Sequence, residues 1–438
     1  MSSVAVPARG RWPSLQHRDF RLLLAATVMA NLIMPMQFIS LTFWSIDNYP
    51  GQKVLFSSLI VGVRGAGMLL FSLFGGAIAD RFERRKVLLI CESISFTVTL
   101  LTAVCMLTKP FGDATIVAVI VLVFFFAANM AIDAPSRSSS IPVIVGQEHM
   151  ANALALNNVA QQLTFPAILP LTGVLTGTIG PAAVVAISLG AWVVILPLIS
   201  LLRYSSVAEA RSRASRGVFR DIGDGVRYAS RDVTILAVLG MVVVLQVVAM
   251  PGVGMLGPVW MTDVLGLSRT SFGFIAMLWG MGALTSSLVF AAYNGMARRG
   301  LTLVAMVVLF SLGAIVFGHS RSVALTAVAN FALGFALTGA IVTAITLVQY
   351  TVKDEMRGRV MGLFPLVMGL SMINVAPVGA ASQAWSLEIL VPSLGWAALA
   401  LAAVIAVAVP GLRRARPGVE LVPPIAGEAP RADLAAGA

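Results

Sequence analysis

The sequence predicts an all-α membrane protein, with twelve transmembrane helices in two pseudo-symmetric six-helix bundles. Three observations lead there. Of 438 residues, 58% are hydrophobic and only 11% charged, with mean hydropathy +0.92, whereas soluble domains carry about 25% charged residues. Apolar runs recur along the chain, several longer than the roughly 20 residues a helix needs to cross a bilayer. Lys and Arg gather in alternate connections between those runs.

The runs fall near 20–46, 54–79, 87–107, 115–136, 151–178 and 181–202, then 233–262, 271–292, 301–318, 322–350, 359–382 and 390–410. This divides the chain into a basic N-terminal segment (1–19), a first bundle (20–203), a linker (204–232), a second bundle (233–411) and a tail (412–438). The tail is rich in Arg, Pro and Ala and is expected to be disordered. The linker ends in Val218-Phe219-Arg220-Asp221-Ile222-Gly223-Asp224-Gly225-Val226-Arg227-Tyr228. That pattern predicts a short helix lying on the membrane surface. The first run, Leu22 to Trp44, is too long for the core of a cleavable signal.

Twelve spans place both termini on one side. Of the 30 Lys and Arg, 24 lie in segments on that side and four (Lys53, Lys109, Arg269 and Arg321) lie opposite. Such a bias predicts cytoplasmic termini and accounts for the net charge of +11 without nucleic acid as a partner. The excess of Arg over Lys, 26 to 4, fits a bacterial inner-membrane protein from a high-GC genome.

The two halves echo each other. Arg18-Asp19 and Arg231-Asp232 open the first and seventh spans, and Met34-Pro35 and Met250-Pro251 follow in their outer parts. Asp80, followed by Arg84-Arg85, is matched by Asn294 followed by Arg298-Arg299. Met150 precedes Pro170 as Met356 precedes Pro377. No enzyme is indicated. Cys91 and Cys105 are 14 residues apart on one run, or about 21 Å along a helix, so they cannot pair. No metal-ligand spacing or nucleotide-phosphate loop occurs, and no cofactor is expected.

Gly76-Ala77-Ile78-Ala79-Asp80-Arg81-Phe82-Glu83-Arg84-Arg85-Lys86 is a tight charged turn between the second and third runs. This pattern resembles the signature loop of the major facilitator superfamily. His17-Arg18-Asp19-Phe20-Arg21, Gly225-Val226-Arg227-Tyr228 and Arg357-Gly358-Arg359-Val360-Met361-Gly362 look like the bacterial branch that contains enterobactin exporters and macrolide efflux proteins. The resemblance implies a monomeric secondary transporter in which two bundles rock around a midplane site. Its task would be export of a small amphipathic molecule, drug-like or siderophore-like, coupled to protons or another ion. It also implies a cytoplasmic gate built from Gly76, Asp80, Arg81, Arg84, Arg85, Arg357 and Arg359, with Asp80 facing the start of helix 11. The chain departs from drug–proton antiporters twice. The stretch from Phe165 to Gly173 lacks the leading glycine of their helix-5 motif, and no Arg lies between Ile116 and Ala131. Transport and proton coupling are therefore separate expectations. The alternatives are an importer or facilitator of a small anionic metabolite, and a sensor or scaffold that does not transport.

In this fold helices 1, 4, 7 and 10 line the central cavity, so the resemblance nominates Gln37, Asn129, Gln246 and Asn330 as substrate contacts, with Arg64 and Asn374 beside them. Amides in spanning helices also join helices by hydrogen bonds worth about 1 kcal/mol. Arg64 lies deep in the second run, where a charge costs several kcal/mol and faces a cavity or a partner. It either locks helix 2 to a neighbour or meets substrate. Met29, Met34, Met36, Met241, Met250, Met277, Met368, Met372, Trp44 and Trp279 offer an adaptable apolar wall, or ordinary packing. Glu92 and Asp133 are the candidate proton carriers. Their structural alternatives are pairing of Glu92 with Arg84–Lys86 and of Asp133 with Arg137, one helical turn away.

Overall fold

Glycine 146 decides how the helices are counted. In the structure, a computed structural model that describes residues 12–204, 218–292 and 299–414, helical hydrogen bonding runs from Thr115 to Thr178. At Gly146 the backbone turns to φ 70° and ψ 171°, a conformation that costs a side-chain-bearing residue dearly. The stretch is therefore two spans, α4 (115–145) and α5 (147–178). The polar segment 137–150, expected as a loop, is helical on both sides of a one-residue break. The Arg84 guanidinium, on the next helix over, donates to the Ser139 carbonyl and holds this end of α4 (3.0 Å).

The other spans are α1 (Arg18–Asn48), α2 (Lys53–Arg81), α3 (Arg84–Thr108), α6 (Pro181–Ser200), α7 (Val233–Asp263), α8 (Arg269–Ala292), α9 (Arg299–His319), α10 (Val323–Thr351), α11 (Asp354–Ala381) and α12 (Leu387–Ala408). The described residues contain no strand, as a bilayer requires: backbone groups in hydrocarbon must pair within their own helix. The side chains of residues 73–81, 218–221, 255 and 414 lie outside the described residues.

The two halves repeat one packing scheme. Within each half α2 lies on α4, and α8 lies on α10. Between halves α2 lies on α11, and α8 lies on α5. Both cross-half seams are lined by small residues, because lipid gives helices no hydrophobic drive to associate and close backbone approach must supply the attraction. A Cβ at Gly65 would stand 2.5 Å from the Met372 Cβ, and one at Gly273 would stand 2.7 Å from the Leu169 carbonyl.

The matching aspartates at the start of each half do different work. Asp232 caps its own helix, accepting from the Thr234 and Ile235 amides at 2.8 and 3.1 Å, the ordinary N-cap arrangement. Asp19 instead accepts from the Arg203 and Tyr204 amides at 2.9 and 2.8 Å, which ties the start of α1 to the chain leaving α6. The linker helix Val218–Ala229 docks on α11: Asp224 pairs with Arg359 at 3.3 Å, and a Cβ at Gly225 would meet the Arg359 carbonyl at 2.8 Å. The expected linker helix is present, and it is anchored to protein.

Candidate substrate and ion sites

Below, the face that carries Arg18 and the linker is called the near face, and its opposite the far face. Two ion pairs tie the halves together at the far face. Arg269 on α8 pairs with Asp47 on α1, donates to the Thr176 carbonyl on α5 at 3.1 Å and stands over the Phe43 ring at 5.3 Å. Lys53 at the start of α2 meets Asp263 at the end of α7 at 2.5 Å. Each pair is partly exposed, so its net contribution is at most about 1 kcal/mol. Together they bridge the halves at this end.

Inward of these ion pairs lies a cavity of about 840 Å³ of atom-free space, counted with its open mouth. It sits between the halves, walled by Met34, Pro35 and Phe38 of α1, Phe165 of α5, Met250 and Met261 of α7, Phe272 and Trp279 of α8, and Met372 of α11. Among the described lining residues none is charged, and Asn330 of α10 supplies an amide. Asn330 donates its own Nδ2 to the Thr326 carbonyl at 3.0 Å, so the amide oxygen is the acceptor left for a ligand.

The cavity wall on α7 is unusual. Its backbone widens into π-turns over Val244–Ala249 and Pro251–Met255, a distortion often found where helices bind ligands. Pro251 has no N–H, so the carbonyls four and five residues back, Val247 and Gln246, lack the partner that residue would give them. Asn374 on α11 donates Nδ2 to the Val247 carbonyl at 2.8 Å, and the neighbouring Ser371 hydroxyl donates to the Gln246 carbonyl. Asn374→Leu should therefore cost about 1–3 kcal/mol, the penalty for an orphaned buried acceptor. In a Pro251→Ala background the amide N–H returns and the cost should largely vanish. A four-protein thermal-denaturation cycle in detergent measures this coupling.

The sequence-nominated residues divide between two places. Asn330 is in the cavity wall, while Gln246 and Asn374 lie behind it as just described. Gln37 and Asn129 turn into the first half instead. Gln37 donates to the Thr99 hydroxyl at 2.7 Å, and Asn129 donates to the Cys91 carbonyl and the Ser95 hydroxyl at 2.7 and 2.8 Å. Arg64 is 4% exposed and stands 5.6 Å over the Phe126 ring, a cation–π contact. Of the nominated apolar residues, Met34, Met250, Met372 and Trp279 line the cavity, whereas Met36, Met241 and Trp44 are buried in helix packing. Phe38, Phe165, Met261 and Phe272 were not singled out from the sequence. Nothing in an almost uniformly apolar run distinguishes their face from the lipid face.

Glu92 and Asp133 meet on one guanidinium. Arg137 donates to Glu92 through Nη2 and to Asp133 through Nε at 3.1 Å. Its Nη1 reaches the Thr27 hydroxyl on α1 at 3.4 Å, and the other Glu92 oxygen accepts from the Trp192 indole at 2.7 Å. The Asp133–Arg137 spacing suggested half of this. The partner of Glu92 is a correction, because the Arg84–Lys86 cluster is occupied elsewhere: Arg85 donates to the Ser200 carbonyl at 2.5 Å, and Lys86 pairs with Glu83 at 3.0 Å. Of the gate residues, Arg357 pairs with Asp354 on its own helix and Arg359 with Asp224. The side chains of Gly76, Asp80 and Arg81 fall outside the described residues, and so does the expected contact of Asp80 with α11.

Comparison with known proteins agrees with this architecture. A family model described as Major Facilitator Superfamily matches residues 22–377. An enterobactin exporter of Shigella boydii is 25% identical over 312 residues, spanning 70% of this chain and 71% of its own; one from Escherichia coli is 24% identical over the same length. Among solved structures, a peptide transporter in complex with alafosfalin superposes with TM-score 0.71 at 12% identity, covering 94% of this chain and 98% of its own. A bacterial homologue of the iron transporter ferroportin, in an inward-facing state, gives 0.70 at 15% identity, covering 90% and 98%.

Proposed function

Because this chain belongs to the Major Facilitator Superfamily, we propose that it exports a small, largely apolar organic molecule across a bacterial inner membrane by alternating access, in exchange for protons. The cavity between the halves carries this reading: it is walled by thioethers and aromatic rings, with one amide acceptor and no charge among its described lining residues. Such a wall suits ligands of varied shape whose burial is driven by apolar area. The direction follows the named function of the exporters that the chain resembles. On the Lys and Arg bias we read the near face as cytoplasmic, so the far-face ion pairs would bridge the halves on the outer side, in a state closed to the outside. The gate at Asp80 would then seal the opposite end in the alternate state.

Import of an anionic metabolite is the lesser reading, because its best support was Arg64, which is not in the cavity wall. A sensor or scaffold would not need the cavity to face both sides in turn. Inverted vesicles supplied from outside with Nile red, a neutral lipophilic dye, separate the three: ATP-independent dye accumulation that collapses with the pH gradient is expected. Uptake of fluorescein, an anion, in its place would favour the importer, and movement of neither would favour the scaffold. Trp279→Ala should raise the half-saturating dye concentration about tenfold, matching loss of roughly 1.4 kcal/mol of aromatic contact, with the protein still inserted at normal levels.

A further inference from the structure

Charge accounting singles out one place in the molecule. Several ion pairs nearer the surface join one carboxylate to one cation: Asp47 with Arg269, Asp263 with Lys53, Glu388 with Arg321, Asp354 with Arg357, Glu83 with Lys86. Among the buried cations of the described residues, only Arg137 is shared by two carboxylates. They are also the only carboxylates fully buried among the described residues, Glu92 at 2% and Asp133 at 3% exposed. When both are ionised the cluster holds one negative charge more than Arg137 cancels. Uncompensated charge in a dry interior is resolved by taking up a proton or a counter-ion.

The surroundings favour the proton. The groups facing the two carboxylates are the Trp192 indole from α6, the Thr27 hydroxyl from α1 through Arg137, and the Cys91 thiol from α3, with Ser95 and Asn129 bonded to each other on the same two helices. No group of three or more His, Cys, Asp or Glu able to hold a metal ion occurs among the described residues. The other buried cation of this half, Arg64, stands over Phe126. That residue is seven positions from Asp133 on α4, or roughly 10 Å. Toward the near face, the Ser140 hydroxyl lies three residues beyond Arg137 and meets the Tyr204 hydroxyl at 2.6 Å. Tyr204 lies just past the end of α6, and burial raises its phenol above the ordinary value while Ser140, Arg84 and Arg137 act the other way. These hydroxyls lie on the near-face side of the cluster, the side from which a proton would arrive.

We propose that the Glu92–Asp133–Arg137 cluster is a one-proton binding site, separate from the substrate cavity and joined to it through α1. One O–H bond forms, on Glu92 or Asp133, with a proton drawn from near-face water, and the same bond breaks when the proton leaves. The junction is visible in α1. Thr27 receives from Arg137, Gln37 bonds to Thr99 on the helix that carries Glu92, and Met34, Pro35 and Phe38 between and beside them form cavity wall. Release of Arg137 from one carboxylate alters its hold on Thr27 and thereby the position of the cavity helix. The inference rests on the transport reading for its role, but the proton itself is measurable without any substrate.

The test is infrared difference spectroscopy of the full-length protein in lipid nanodiscs, with proton uptake counted by an indicator dye in the same pH step. A single protonated-carboxyl stretch, one proton per protein, should appear on acidification. It should disappear in Glu92→Gln or Asp133→Asn and in the double variant, and persist in Asp47→Asn. Dye counterflow, which needs no net proton movement, should survive in these variants while transport driven by a pH gradient is lost. A stretch insensitive to pH, or one unchanged in both single variants, overturns the proposal. So does a band that follows sodium concentration at fixed pH. Failure of Nile red transport in the unsubstituted protein would sink the export reading and leave the proton count standing.

Discussion

Gly334→Val is expected to abolish stable assembly of the second half. A Cβ at this position would stand 1.9 Å from the Trp279 carbonyl oxygen and 2.7 Å from its carbon. Both are backbone atoms of α8, so no rotamer change relieves the clash and α10 must move off. Overpacking of this kind costs about 1–3 kcal/mol and sometimes more, and it outweighs the gain of up to about 1 kcal/mol that leaving glycine gives a helix interior. Gly282 mirrors it, with a Cβ 2.1 Å from the Phe331 carbonyl. Because Trp279 also lines the cavity, Gly334→Ala should weaken dye binding even if it folds. Gly223→Ala, in the linker helix with nothing within 4 Å, is the control and should be neutral or slightly stabilising. Thermal melts of the three proteins in one detergent, read by size-exclusion fluorescence, test the ordering. Equal melting temperatures for Gly334→Ala and Gly223→Ala would show that the α8–α10 approach is looser than described.

The second large effect is expected at Arg137. Arg137→Met keeps the volume of the side chain and removes its charge, leaving Glu92 and Asp133 buried without the cation they share. Removing one partner from a buried ionic cluster costs about 3–5 kcal/mol, a large fraction of the stability of any protein. The variant should be recovered poorly from membranes. Adding Glu92→Gln and Asp133→Asn neutralises what was orphaned, and the triple variant should regain most of the lost yield, since replacing a whole buried ionic group is often close to neutral. If the single and triple variants are equally unstable, shape and not charge holds α1, α3 and α4 together here. The opposite result, an undisturbed Arg137→Met protein, would mean that the carboxylates carry no charge at working pH.

Most of the fold is legible in the sequence for a reason specific to bilayers: span length and backbone satisfaction leave only helices, and the charged connections mark where one span ends and the next begins. The exception is instructive. Segment 137–150 has the polar composition of a loop, yet a single glycine makes the turn, and the serine-rich stretch stays helical with Arg84 donating to the Ser139 carbonyl and the Ser140 hydroxyl to the Ser136 carbonyl. The site was less legible. Composition marked Gln37, Asn129 and Asn330 equally as amides in apolar runs, and periodicity could not say which way they turn, since both the lipid side and the bundle side of α1 are apolar. Two of the three turn into the first half, to Thr99 and to Ser95. The Glu92–Arg137 pair joins residues 45 positions apart on different helices, a relation no local spacing encodes. Asp133–Arg137, four apart on one helix, could be read directly.

The cavity wall comes mostly from α7, α8, α10 and α11, whereas the buried carboxylates belong to α3 and α4. On the proposed readings, recognition would be written mainly in one part of the gene and proton binding in another, with α1 and α5 as the shared wall. Random mutagenesis confined to codons 244–280 is then expected to change cargo more than coupling, and selection for resistance to an unfamiliar compound should collect its changes there. A lineage with that division would diversify in what it carries without relearning how to be powered.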